Sequence, residues 1–424
     1  LCLRARGWRR GEGSGCEGDS YNASMKPGAR PSLDPNAATT LAARGPAATP
    51  SGRHDVLVRG AGPVGLAAAL ALARQGLRVA LLGNVQVPQA PQPPAAPDIR
   101  AYALNRASVQ LLGDLRVWEA IAEPARTQVH DMRIEGDDGR SVLQFSAWKN
   151  ALAELAWIVD AAALDAALRQ AVRFAPHIEA VAAEVPAALT LLAEGKDSHS
   201  RAALGVRMQR QAYGHRAIAA RLASSRAHAG LARQWFRAPD VLALLPLDTP
   251  QRDHGYALVW SLPEGRAAEL LALPDEAFEA ELLQATGAAA GELRLVGPRA
   301  AWPLSVGRAD PLHGPGWLLL GDAAHVVHPL AGQGLNLGLA DVAALARVLA
   351  AREPWRELGD PRLLARHVRA RAADTLAMMA VTDGLLHLFA HPSPWLKQLR
   401  NRGLGYVDRL APVKRALTRA ALGR

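Results

Sequence analysis

The stretch from residue 316 to 338, GWLLLGDAAHVVHPLAGQGLNLG, gathers the residue types most able to do chemistry. Residues 317–320 form a short apolar run suited to a buried strand, and Gly321-Asp322 supplies a tight turn after it. A loop stiffened by Pro329 leads to a helix that opens on Gly332-Gln333-Gly334 and runs amphipathically through Asp341 to about Leu349. Glycines at a helix mouth let a ligand approach the backbone, and the unpaired N–H groups there favour negative charge. Asp322 can accept hydrogen bonds from ligand hydroxyls. Taken singly, a capping Asp322 and turn-forming glycines explain the same residues. Asp322, His325 and His328 are also close enough in sequence to suggest metal ligation. Gly321 and Pro329 bracket them in a loop without helical register, and no metal is expected.

A second constellation lies near the start of the ordered sequence. Residues 55–59 read as a buried strand, Gly60-Ala61-Gly62-Pro63-Val64-Gly65 follows, and an Ala/Leu helix runs to Gln75 before a strand over 78–82. This strand, glycine turn, helix and strand is the context in which Gly-x-Gly-x-x-Gly signifies a dinucleotide site. Gly60 permits the tight turn, Gly62 lets the backbone approach a pyrophosphate, and Gly65 lets helix and sheet pack closely. Pro63 and Val64 open the helix beside the same ligand. An acid that would hold ribose hydroxyls is expected about 20 residues on. Here the strand ends Leu82-Gly83-Asn84, so Asn84 is the neutral candidate, and Gly83→Glu is expected to tighten binding.

The two strings together resemble the single-component FAD-dependent aromatic hydroxylases. Within them the chain is most similar to the ubiquinone-biosynthesis hydroxylases, whose pattern Gly-Asp-Ala-Ala-His-x-x-x-Pro-Leu-Ala-Gly-Gln-Gly-x-Asn-x-Gly stands ungapped at 321–338. The resemblance continues more weakly from about His54 to the C-terminus. It implies FAD as cofactor and NAD(P)H as reductant, with dioxygen supplying one atom to an activated ring. It places Gly321, Asp322, Ala331, Gly332, Gly334, Leu335 and Asn336 at the flavin, with Pro329, Gly332, Gln333 and Gly334 serving catalysis. The segment 98–104, DIRAYAL, resembles an element whose arginine, Arg100 here, contacts the cofactor. Residues 190–201 resemble an Asp-Gly motif near the pyrophosphate, with Glu194 in the usual Asp position followed by Gly195, Ser198 and Arg201. The implied substrate is a polyprenylated phenol. A small soluble aromatic, or a non-catalytic FAD-holding role in a biosynthetic complex, are the alternatives.

The elements that must position these residues follow from periodicity. Alternating strands are expected over 127–147 with a turn at 137–140, an amphipathic helix over 160–172, and strand texture through 206–305 interrupted by a helical patch at 262–286. The expected fold is α/β: a Rossmann-like FAD domain (54–130, 150–205, 306–350) interleaved with an antiparallel-sheet substrate domain (131–149, 206–305). Helices follow at 351–424.

The chain has 424 residues, half of them hydrophobic, and no apolar run of 18 uncharged residues, so a packed core and no membrane span are expected. Residues 1–53 read as an extension outside the fold, with Met25 as a natural start. Cys2 and Cys16 both fall there, leaving the body without disulfides, which fits a reducing cytoplasmic setting. The net charge of +10 is concentrated at the end, where 395–424 carry eight basic residues and one acid. With few aromatics and no nucleic-acid motif, nucleic acid is not expected. A solvated helix face explains such a tail, and so does peripheral contact with an anionic inner membrane.

Overall fold

The computed structural model describes residues 54–84, 98–136, 141–327 and 333–390, the side chains of 380–390 excepted. The expectations for 1–53, the turn at 137–140, His328, Pro329, Ala331, Gly332 and the basic tail therefore lie outside the described residues.

Eight α-helices are described: α1 (Pro63–Ala73), α2 (Arg106–Asp114), α3 (Ala161–Arg173), α4 (His199–Ala203), α5 (Glu264–Ala272), α6 (Asp275–Thr286), α7 (Gln333–Ala350) and α8 (Pro361–Ala390). A six-stranded sheet runs in the order His313–Gly314, Trp317–Leu319, Ala187–Leu192, His54–Arg59, Val79–Leu82, Ile178–Val181, and all but its first pairing are parallel. Strands buried on both faces in such a sheet must be apolar throughout, and Val56, Leu57 and Val58 are. Helix α1 is apolar all round for the same reason: Gly65 to Ala73 are buried between the sheet, α3 and α7.

A nine-stranded sheet takes Asp131–Glu135 and Val142–Ser146 from early in the chain and five long strands from Arg207–Ser224 to Ala300–Asp310. One pairing, Leu231–Arg237 with Asp131–Glu135, is parallel, so the expected antiparallel sheet is mixed. The side chains of Leu222, Trp235, Tyr256 and Trp260 pack on one face with Phe278 and Leu282 of α6. The single helical patch expected at 262–286 is two helices, because Pro274 cannot continue α5 and instead precedes α6. A third sheet, Ala101–Leu104, Ala156–Asp160 and Arg126–Val129, joins the two larger ones.

Candidate active site

Five parallel strands of the first sheet end at one place. Arg59, Gly60, Leu82, Gly83, Val181, Ala193, Glu194, Leu320 and Asp322, all at or just beyond C-terminal strand ends, line a cavity of about 920 Å³. The crevice beyond the carboxyl ends of an open parallel sheet is where such folds bind ligands. The same cavity extends over one face of the nine-stranded sheet, touching Ala217, Ala219, Val241, Ala243, Val259 and Leu304.

The glycine turn builds the first wall. Gly60 has φ +112°, and a Cβ there would sit 2.4 Å from the Ala193 carbonyl oxygen. A Cβ on Gly65 would meet the Gly60 oxygen at 2.0 Å, so its role is close packing inside the protein. Gly62 differs: no atom lies within 4 Å of where its Cβ would be, and it lines the cavity with Pro63 and Val64. As N-cap of α1 it offers no side-chain cap, leaving the first N–H groups of the helix to a ligand.

The second wall is the Gly321-Asp322 turn and the start of α7, where Gly334 and Leu335 line the cavity. Asp322 is exposed on its cavity side but otherwise closely surrounded by protein. That surrounding raises its pKa, while His325 and Lys196 pull it partly back. Arg100 lines the third side, held by Asp98 in a two-pronged pair at 2.9 and 2.7 Å. Tyr102, two residues on, also faces the cavity.

Other expected site residues also make contacts within the frame. Asn336 is buried and is not among the lining residues. Its Oδ1 accepts from Asn105 N at 3.0 Å and Ser108 Oγ at 2.7 Å, and its Nδ2 donates to the Ala103 oxygen at 2.7 Å. The side chain thus clamps α7 to α2. Gly321 likewise is not on the wall: its N–H donates to Asp341 Oδ2 at 3.2 Å and its Cα packs near Val64. Gln333 sits half-buried in the first turn of α7 off the lining, and Asn84 contributes its carbonyl to Arg169. Glu194 and Gly195 line the cavity, yet the Glu194 carboxylate is occupied by Ser198 Oγ at 2.5 Å and by the N and Oγ of Ser200 at 3.1 and 2.7 Å. Burial would raise its pKa; those hydrogen bonds and Arg59 lower it on balance.

Several positioning residues carry no motif. Arg169 on α3 donates to the Ala61 oxygen at 3.2 Å and to the Asn84 oxygen, fastening the glycine turn to the end of the next strand. Arg221 from the larger sheet donates to the Arg100 oxygen at 2.7 Å and Asp160 Oδ2 at 2.6 Å. His228, Asp248 and Asp253 converge in a way that resembles a metal site. Their hydrogen bonds account for the grouping: His228 Nδ1 accepts from Gly230 N at 3.1 Å, which assigns the proton to Nε2, and Nε2 donates to Asp248 Oδ1 at 3.1 Å.

Comparison with known proteins agrees with this geometry. A family profile described as "FAD binding domain" matches residues 53–151 and 171–382. The ubiquinone hydroxylase UbiL of Rhodospirillum rubrum is 33% identical over 391 residues, covering 87% of this chain and 89% of its own. The 3-demethoxyubiquinol 3-hydroxylase of Escherichia coli is 30% identical over 397 residues, covering 87% and 98%. Among solved structures, PqsL of Pseudomonas aeruginosa, described as a probable FAD-dependent monooxygenase, superposes with TM-score 0.65 at 22% identity over 84% of this chain and 100% of its own.

Proposed function

Because the chain belongs to the family of FAD-dependent monooxygenases that includes the ubiquinone hydroxylases, we propose that it hydroxylates the ring of a polyprenylated phenol on the route to ubiquinone. The observation that carries this reading is the continuity of one cavity from Gly62 and Asp322 at the strand ends to the apolar face of the larger sheet. A dinucleotide fits the first end. Gly62 leaves its approach open, the uncapped start of α1 suits a pyrophosphate, and Asp322 offers a carboxylate to sugar-chain hydroxyls. An apolar aromatic fits the second.

Bound FAD, reduced by NAD(P)H, supplies the activation of dioxygen that this chain's side chains lack. The protein's share is placement and exclusion of water. Gly334 at the start of α7 lines the cavity, where a helix start favours negative charge; Pro329 and Gly332, just before it in sequence, keep the catalytic role the family resemblance implies. Arg100, held by Asp98 and by Arg221 through its backbone, keeps a cation on the adjacent wall. The alanine and valine floor dries and orients the ring. An electron-rich phenol needs little further activation, so a dedicated base is unnecessary.

The same reading includes peripheral contact with an anionic membrane through the eight basic residues of 395–424, and membership of a biosynthetic complex. Among the described residues no helix is long and apolar enough to cross a membrane. The test is NAD(P)H oxidation by purified, FAD-loaded protein. A prenylated phenol is expected to accelerate it and to be converted to a hydroxylated product, whereas a rate indifferent to every prenylated phenol counts against the proposal.

A further inference from the structure

The larger sheet turns a matched row of residues toward the cavity. Trp302 pairs with Ala217, Ala217 with Ser261, and Ser261 with Val241, and all four line the cavity. Residues matched across neighbouring strands share a face, so the row is a continuous track. Exposure drops from 39% at Trp302 to 7% or less at Ala217, Ser261 and Val241. Ala219 and Ala243 flank the track on the same face and also line the cavity. Small side chains here, against Trp235 and Trp260 on the opposite face, leave a shallow groove above the strands.

The groove has one marked end. Of the exposed large apolar side chains among the described residues, Trp302 alone lines the cavity. Pockets of roughly 300–1,000 Å³ ordinarily house one drug-sized ligand. The cavity of about 920 Å³ has to take the flavin end of the cofactor and the ring of the substrate. A long isoprenoid chain attached to that ring has to leave.

We propose that the Trp302–Ala217 row is the exit track for the isoprenoid chain, with the indole of Trp302 as the apolar rim over which the chain passes out of the protein. The proposal rests on the reading of the substrate as a polyprenylated phenol. An indole is large, rigid and apolar on its faces, the surface against which a branched hydrocarbon chain is best desolvated. The buried end of the row then holds the first isoprene unit next to the ring, and everything beyond the rim is left for a membrane or carrier to solvate.

The test is equilibrium binding of two phenols to FAD-loaded protein, one carrying a chain of several isoprene units and one carrying methyl in its place. Wild type is expected to prefer the long-chain phenol. Trp302→Ala is expected to lose about tenfold of that preference, and Trp302→Phe to retain most of it, with FAD content and unfolding midpoint as in wild type. Equal weakening of both phenols in Trp302→Ala, or none in either, would overturn the track. A photoreactive group on the outer isoprene gives a second measurement: cross-linking to residues 300–304 is expected, and cross-linking solely elsewhere refutes the assignment. If wild type does not prefer the long chain, the polyprenylated-substrate reading fails first, and the track falls with it.

Discussion

His325 Nε2 and Asp341 Oδ2 lie 2.7 Å apart in a fully enclosed ion pair, and Asp341 also receives Arg371 Nε from α8 at 2.9 Å and the Gly321 N–H at 3.2 Å. Burial opposes the charge on His325, but the Asp341 carboxylate outweighs it and raises the pKa. Burial would raise the pKa of Asp341 too, and His325 and Arg371 hold it down instead. One carboxylate therefore ties α7, α8 and the turn that presents Asp322.

Removing one member of such a buried network leaves the others uncompensated, at a cost of about 3–5 kcal/mol. Asp341→Ala is expected to lose stability on that scale in denaturant unfolding and to retain less FAD after gel filtration. A loss under about 1 kcal/mol would mean that water replaces the carboxylate without penalty.

His367 on α8 is buried, and its Nδ1 has no hydrogen-bond partner among the described residues. Burial pushes its pKa down to about 4. The unfolded chain takes up the proton near pH 6.5 while the folded protein resists it. Stability contributed by neutral His367 is present above pH 6.5 and is lost as pH falls toward 4, by at most about 3 kcal/mol. His325 works in the opposite direction, its contribution being lost only as pH rises through its raised value. His367→Phe is expected to flatten the acid limb of the stability profile between pH 6.5 and 4; an unchanged limb would assign the loss to other groups.

Gly338, one helical turn inside α7, marks where α7 crosses α1. A Cβ there would meet Val64 Cγ2 at 2.5 Å and the Gly321 Cα at 3.3 Å. Valine in a helix has little rotamer freedom with which to move aside. Gly338→Ala is expected to destabilise by about 1–3 kcal/mol, and Val64→Ala in the same molecule to recover much of the loss. Strict additivity of the two changes in a double-mutant unfolding cycle would contradict the contact.

How much of this was legible beforehand depended on how local the signal was. The glycine turn and the 321–338 string are contiguous, so the strand ends and helix starts that carry Gly62, Asp322 and Gly334 could be read directly. Asn336 belongs to the same string and was read as a cofactor contact, yet its partners Asn105 and Ser108 come from a segment over two hundred residues away. Nothing in the string distinguishes a residue that holds the helix from one that holds the ligand. Arg169, Arg221 and Arg371 had no local signal at all; in a chain with 49 basic residues a single arginine is indistinguishable from a solvated one until its carboxylate or carbonyl partner is placed. Asp341 likewise reads in the sequence only as part of an amphipathic helix, and its buried role emerges once His325, Arg371 and the Gly321 N–H are placed around it.

The expectation that Gly83→Glu would tighten cofactor binding is reversed by the geometry. Gly83 has φ +156°, and a Cβ would lie 3.0 Å from both the backbone N and the Cβ of Ala61, inside the glycine turn. Any side chain at 83 strains the turn that Gly62 depends on. Gly83→Glu is expected to bind FAD severalfold more weakly than wild type in fluorescence titration, and tighter binding would show that the turn yields.

The central claim is that one cavity brings a flavin and a prenylated phenolic ring together for oxygen transfer. Turnover of a prenylated phenol under isotopically labelled dioxygen, with product mass followed by mass spectrometry, tests it most directly. One labelled oxygen atom per hydroxylated ring is expected, with label lost when Asp322→Ala depletes the protein of FAD. Label arriving from water, or no ring oxygenation by FAD-loaded protein supplied with NAD(P)H, would contradict the account.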